Sequence, residues 1–265
     1  STSLSKNYRT TTQIAQAAYS LIENDTNIVE DDNFVKPSLI DKQGVYPVYR
    51  GCKNKVKEAE YVVDIINNGL KDKYSYKDIA IISKLKNQLK EIKSYLEKNN
   101  ILYKELSSNE ELDFKDDSVK LLTMHSIKGL EFKVVMIIGL NDKCIPLRSV
   151  ANEFDDSEMV ESRDRKLLYV GMTRATEQLF LTSDGTPSKF IKEISYRYLR
   201  VNQNSSFRRL HRIDIDEYLF SDKILDVYSN EEITRQWIIN ELMITYGYPK
   251  ELIDVEYKVN IGSQG

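Results

Sequence analysis

Cysteine is scarce in this chain, with only Cys52 and Cys144 among 265 residues. Two thiols so far apart offer neither a disulfide framework nor a zinc-ligand spacing, and the expectation is a reducing, cytoplasmic compartment without a metal centre. Long apolar runs are missing too. The longest, Val134 to Leu140 with Gly139 inside it, falls far short of the ~20 residues that cross a bilayer, so no membrane association is expected. The chain opens polar at Ser1, Thr2 and Ser3, unlike a secretory leader. There is no internal repeat or low-complexity tract. An excess of positive charge is also lacking: the net charge of −3 argues against a wholesale polyanion binder but leaves room for a local basic patch. One candidate patch holds Arg197, Arg200, Arg208, Arg209 and Arg212 with no acid between them. It fits a solvated linker or a phosphate-touching segment.

What is present reads as alternating helices and strands. Ile14, Ala17, Ala18, Leu21 and Ile22 recur at helical spacing behind the hydroxyls of Thr10–Thr12, which predicts a helix over 11–22. An acidic loop at Asp31 and Asp32 precedes a short alternating strand over 45–49. A second helix is predicted over 56–68, stopping at Gly69. Ile79–Ile82 reads as a buried strand, Leu85 to Leu96 as a helical stripe and Ile101–Tyr103 as a strand. Strands are predicted at 119–124 and 134–138, a long helix at 157–173 and a strand at 178–181. Apolar strands alternating with helices suit a mostly parallel sheet covered on both faces. An α/β domain over 1–200, a linker over 201–230 and a further element over 231–265 are expected. The last would hold a helix through Trp237 and Leu242, a turn at Gly247–Pro249 and a strand near Val255–Ile261.

Three segments carry chemistry. The first is Asn7-Tyr8-Arg9-Thr10, where an arginine enters a helix. A guanidinium beside helix N–H groups can clamp an oxyanion, but from these four residues alone a surface ion pair is the simpler account. The second runs Thr123-Met124-His125-Ser126-Ile127-Lys128-Gly129-Leu130-Glu131-Phe132. It lies between two strands and is expected at the carboxyl-end rim, where open α/β sheets bind ligands. Its glycine permits close backbone approach, while His125 alone also fits a hydrogen-bonded core histidine. The third, Leu168-Tyr169-Val170-Gly171-Met172-Thr173-Arg174-Ala175, puts Arg174 at a helix C-terminus, where a cation is favourable without any ligand.

In order and combination, these segments resemble motifs IV, V and VI of the UvrD/Rep helicases of superfamily 1, written N-Y-R-S, T-x-H-x-x-K-G-L-E-F and Y-V-A-x-T-R-A. This sequence departs only with Thr10 for Ser and Gly171 for Ala. The strand Asp78–Ile82 is similar to the one after motif IV, so the resemblance spans about residues 4–200. It implies the second RecA-like motor domain of an ATP-dependent DNA helicase or translocase moving 3′ to 5′ on single-stranded DNA, with ATP and Mg²⁺ as cofactors. Tyr8 would stack on adenine, and Arg9 and Arg174 would reach the γ-phosphate, Arg174 as an arginine finger worth about 10³–10⁵ in turnover. Gly129 and Glu131 would approach phosphates and ribose. Thr123 and His125 would sit where the nucleotide communicates with DNA, and Lys84 and Lys86 would take the place of an Arg and an Asn on the DNA backbone.

No G-x-x-x-x-G-K-S/T pattern occurs, nor can a Mg²⁺-binding acidic pair be placed. The resemblance therefore implies a first motor domain upstream of Ser1 and a fragment inactive by itself. Between Leu106 and Ser118 lies a short acidic link where large UvrD members insert an accessory domain. From Arg235-Gln236-Trp237 to Ile261-Gly262 the tail resembles the start of the nuclease-like domain of type I restriction HsdR subunits. Two other readings remain open: a non-catalytic DNA-binding or assembly module, and a nuclease component.

Overall fold

The computed structural model describes residues 10–29, 42–107, 116–127, 129–142, 144–147 and 157–201, with 234–235, 238–239, 242, 246–249 and 252–253 nearer the C-terminus. The chain divides into two compact units, Ser1–Arg200 and Val201–Gly265. The first unit is built on a seven-stranded sheet of order β3-β4-β2-β5-β6-β1-β7. Its strands are β1 (Val48–Gly51), β2 (Ile79–Ser83), β3 (Tyr103–Glu105), β4 (Val119–Thr123), β5 (Phe132–Ile138), β6 (Ala175–Ser183) and β7 (Arg200–Val201). Pairing is parallel throughout β1–β6. The central strands are apolar because both faces are covered: β2 is buried at every position and β5 everywhere except Lys133.

The helices are α1 (Thr12–Ile22), α2 (Thr26–Val29), α3 (Lys55–Asp64), α4 (Leu89–Lys98), α5 (Ser157–Met172) and α6 (Lys189–Glu193). Ala59, Val62, Val63 and Ile66 from α3 and the turn after it, with Leu89, Ile92 and Leu96 from α4, form apolar stripes. They pack on Ile79, Ile81, Val134, Met136 and Ile138. Each fully buried Val, Leu, Ile or Met among them contributes about 1.5–3 kcal/mol. Alternation along β5 turns Ile137 to the other face, where it meets α5: a Cβ added at Gly171 would stand 3.3 Å from its Cδ1. The glycine lets helix and strand approach closely. α1 packs against α5 on this second layer, burying Ile14, Ala17, Ala18, Leu21 and Ile22. The result is the expected RecA-like α/β arrangement, a mostly parallel sheet between two helical layers.

Several boundaries differ from the sequence expectation. β1 starts at Val48, three residues late, because Pro47 has no N–H for a ladder; its carbonyl accepts from the Arg200 N–H at 2.8 Å. β3 starts at Tyr103 rather than Ile101. α3 does not stop at Gly69 but continues as a π-helical turn over Ile65–Leu70. β6 begins three residues earlier than expected, at Ala175, leaving only Thr173 and Arg174 between it and α5. α6 was not anticipated; Ser188 caps it by accepting from the Phe190 N–H.

In the second unit, Thr234–Arg235 and Ile238–Ile239 are helical. The Tyr248 N–H donates to the Leu242 carbonyl at 3.0 Å, past Gly247 at φ 71°. The acidic loop at Asp31, the arginine run at 208–212 and the strand expected near Val255 lie outside the described residues.

Candidate nucleotide and nucleic-acid faces

Parallel strands give the sheet two chemically different rims. Thr123 is level with Ser83, and Ser83 with Ile138, the last residue of β5. Phe132, the first residue of β5, lies six positions lower, or roughly 20 Å at about 3.3 Å per residue. The segment 124–131 therefore crosses the carboxyl rim after β4, as the sequence suggested, but does not stay there. It leaves β4 at the carboxyl rim, passes β2 and enters β5 at the amino rim. Parallel crossovers normally take a dozen or more residues and a helix; this one uses eight.

Two buried side chains and two tight turns hold this strap. Met124 and Ile127 are fully buried, and the Met124 N–H donates to the Ser83 carbonyl at 2.8 Å. The Ser126 N–H donates to the Thr123 carbonyl at 2.9 Å, with the two hydroxyls 3.0 Å apart. The Leu130 N–H then closes a turn on the Ile127 carbonyl at 3.1 Å. Gly129 is the third residue of that turn, and its φ of +83° explains the glycine. His125 is exposed, which sets aside a core histidine.

Arg174 and Glu131 meet at the amino rim, two residues along the strap from Gly129. Arg174 follows α5 directly and precedes β6, and its carbonyl accepts from the Phe132 N–H at 3.0 Å. Its Nε donates to the Val170 carbonyl at 3.1 Å, one of the unsatisfied carbonyls of the last helical turn. Burial lowers the guanidinium pKa, opposed by the charge of Glu131 and by Tyr169. Burial also pushes the Tyr169 phenol up to about 12, with Arg174 pulling it back. The Thr10 hydroxyl donates to the Thr173 carbonyl at 3.3 Å, so the described end of the first motif abuts the third. Tyr8 and Arg9 lie outside the described residues. Lys42, which the sequence gave no reason to single out, donates to the Thr176 carbonyl at 3.0 Å on the same rim.

Thr123, His125, Lys84 and Lys86 belong to the carboxyl rim. Lys86 is exposed in the turn before α4. Lys84 is not exposed. Its ammonium is buried in an ion pair with Asp164 of α5, with side-chain exposures of 7% and 1%, so its placement does not suit the expected contact with a DNA backbone.

A buried carboxylate, Glu58, also missed from the sequence, lies near the same rim. It accepts from the Gly139 N–H at 2.9 Å and the Thr182 hydroxyl at 2.6 Å. Burial pushes its pKa up to about 7 against these two bonds, with Asp184 raising and Lys55 lowering it. Among the described residues no group of three or more His, Cys, Asp or Glu is placed to hold a metal ion.

A mostly parallel seven-stranded sheet covered by helices on both faces is a RecA-like α/β architecture. Residues 2–110 and 103–185 match the UvrD-like helicase C-terminal domain family. The chain belongs to that family. Residues 230–265 match a second family, the type I restriction enzyme R protein N terminus. A probable DNA helicase II homolog of Mycoplasma capricolum is 29% identical over 225 residues, covering 84% of this chain and 27% of that protein. The ATP-dependent DNA helicase PcrA of Staphylococcus epidermidis is 42% identical over 90 residues, 29% of this chain and 12% of that protein. The chain thus spans about a quarter or less of these relatives. In fold it is similar to the C-terminal domain of a possible DNA helicase from Lactobacillus plantarum. That match has TM-score 0.54 and 20% identity, and covers 74% of this chain and 99% of that one.

Proposed function

We propose that this domain is the second motor domain of an ATP-driven machine acting on single-stranded DNA. The observation that carries the reading is the strap 124–131, which joins the rim of Arg174 and Glu131 to the rim of Thr123 and His125. In this reading Arg174, with Arg9, presents positive charge to the γ-phosphate across a cleft shared with a first motor domain. A fork supplied in this way stabilises charge on the transferring phosphoryl group. Tyr8 stacks on the base, and Gly129, which has open space around its Cα, lets the backbone approach the nucleotide beside Glu131. Mg²⁺ arrives with ATP, and this domain contributes cations rather than metal ligands.

On the carboxyl rim, Thr123, His125 and Lys86 face the DNA. Lys84, committed to Asp164, is left out of that track. The isolated domain is expected to be inactive, and the full-length protein is the one to assay. Single-stranded DNA should stimulate its ATP hydrolysis, and Arg174→Ala should abolish the stimulation. An intact protein that DNA does not stimulate would sink the motor reading in favour of a DNA-binding or assembly scaffold. The match over residues 230–265 favours an additional reading of the same polypeptide, a motor joined to a nuclease-like module. Metal-dependent DNA cleavage by the full-length protein, lost on truncation after residue 200, tests it.

A further inference from the structure

Lys84 is the first residue past the carboxyl end of β2. It is bonded in sequence to Ser83, whose carbonyl receives the first N–H of the strap. It thus stands beside Thr123, yet its ammonium turns into the protein and pairs with Asp164 Oδ1. Asp164 Oδ2 accepts from the Leu147 N–H at 2.8 Å. One carboxylate, 1% exposed, therefore ties together the end of the central strand, the stretch before α5 and α5 itself. Buried ion pairs add little net stability over well-packed apolar side chains. Here both oxygens of Asp164 are engaged, which restricts how far α5 can shift while keeping both bonds. From Asp164 the helix continues to Met172, about 12 Å further at 1.5 Å per residue, and delivers Arg174. The residue after Asp164, Arg165, about 100° round the helix, ties α5 to other elements: it donates to Glu193 at 3.0 Å, pairs with Asp25 and lies over the Phe190 ring.

We propose that Lys84 and Asp164 form a positioning pair that fixes α5, and hence the Arg174 fork, relative to the DNA-facing end of the central strand. This rests on the motor reading above. Neither residue touches nucleotide or DNA. Their effect is exerted through Arg174, where a misplacement of about 1 Å is enough to cost on the order of 10²-fold.

The test uses the full-length protein with saturating single-stranded DNA. Lys84→Met and Asp164→Asn should each lower kcat roughly 10- to 100-fold while leaving the KM for ATP and the nucleotide-free affinity for DNA within about twofold. The Lys84→Met/Asp164→Asn double variant should be no worse than the poorer single, as for two members of one unit. It leaves no buried unpaired charge and serves as the test protein if a single variant does not fold. In an Arg174→Ala background, single-turnover hydrolysis should fall no further on adding Lys84→Met. Unchanged kcat in a folded variant overturns the proposal, as do losses that multiply with Arg174→Ala. A fall in DNA affinity with kcat retained also overturns it, and makes Lys84 a DNA contact. Wild-type protein that DNA does not stimulate fails the motor reading itself, a result separate from any variant.

Discussion

The carboxylate of Glu58 accepts the backbone N–H of Gly139, 81 residues away in sequence, at 2.9 Å in the interior of the domain. Because burial lifts the Glu58 pKa to about 7 from an ordinary 4.5, the folded state holds this proton where the unfolded chain has lost it. The contribution to stability is fully present below about pH 4.5 and is lost as pH rises through about 7. Over that window the group alone should remove up to about 3 kcal/mol. Urea unfolding at several pH values should show wild-type stability falling relative to Glu58→Gln between pH 4.5 and 7. A difference that stays flat would mean that Glu58 is ionised throughout.

Gly139 also closes a second contact, since the Gln88 amide donates to its carbonyl at 2.8 Å. Its φ is +64°, and an added Cβ would stand 2.2 Å from Gln88 Nε2. Gly139→Ala should therefore cost about 1–3 kcal/mol. Gly129→Ala, at φ +83° but in open space, should cost only the backbone strain of about 1 kcal/mol. Chemical unfolding of the two variants side by side checks the order.

On the amino rim, Arg174→Ala in the full-length protein should lower DNA-stimulated kcat by about 10³–10⁵. Arg174→Lys should recover little of it, because an ammonium is a point charge without the planar fork. Steady-state ATPase assays across an ATP range decide this, and a lysine variant near wild-type activity would rule out a fork-dependent role.

Lys86 and Lys84 should separate cleanly in a salt titration of single-stranded DNA binding. Removing one phosphate contact lowers the slope of log K against log salt by about 0.7. Lys86→Ala should show that change and Lys84→Met none. The reverse result would reassign the track.

The parts of this fold legible in the sequence are those where one physical demand dominates. Ile79–Ile82 and Val134–Ile138 read as buried strands because a doubly covered parallel strand has no polar face to disguise it. α1 and α4 are visible through a single apolar stripe each. β1 was misplaced because Val45 continues the alternation into a stretch that Pro47 keeps out of the ladder. The end of α3 was misjudged because Gly69 resembles a stop signal while Leu70, fully buried, draws the helical stretch two residues further.

Of the candidate site, Arg174 and Glu131 were singled out through two separate motifs, and the structure brings them close enough to interact. Their assignment to the amino rim was not readable, since a local pattern does not reveal that eight residues span the sheet. The partnership of Lys84 with Asp164 had no signal either. Eighty residues separate them, and a lysine after a strand looks the same whether it turns to solvent or to a buried acid.

The strap has limited slack. From Thr123 to Phe132 the chain must climb down about 20 Å and step sideways past one strand, roughly 22 Å in a straight line. Nine fully extended steps reach only about 30–32 Å, and two tight turns consume part of that length. A connection this short has little length left to absorb a large movement at one end. Met124 and Ile127, both buried, pin it at two points between the rims, so its two ends are tied to the same core.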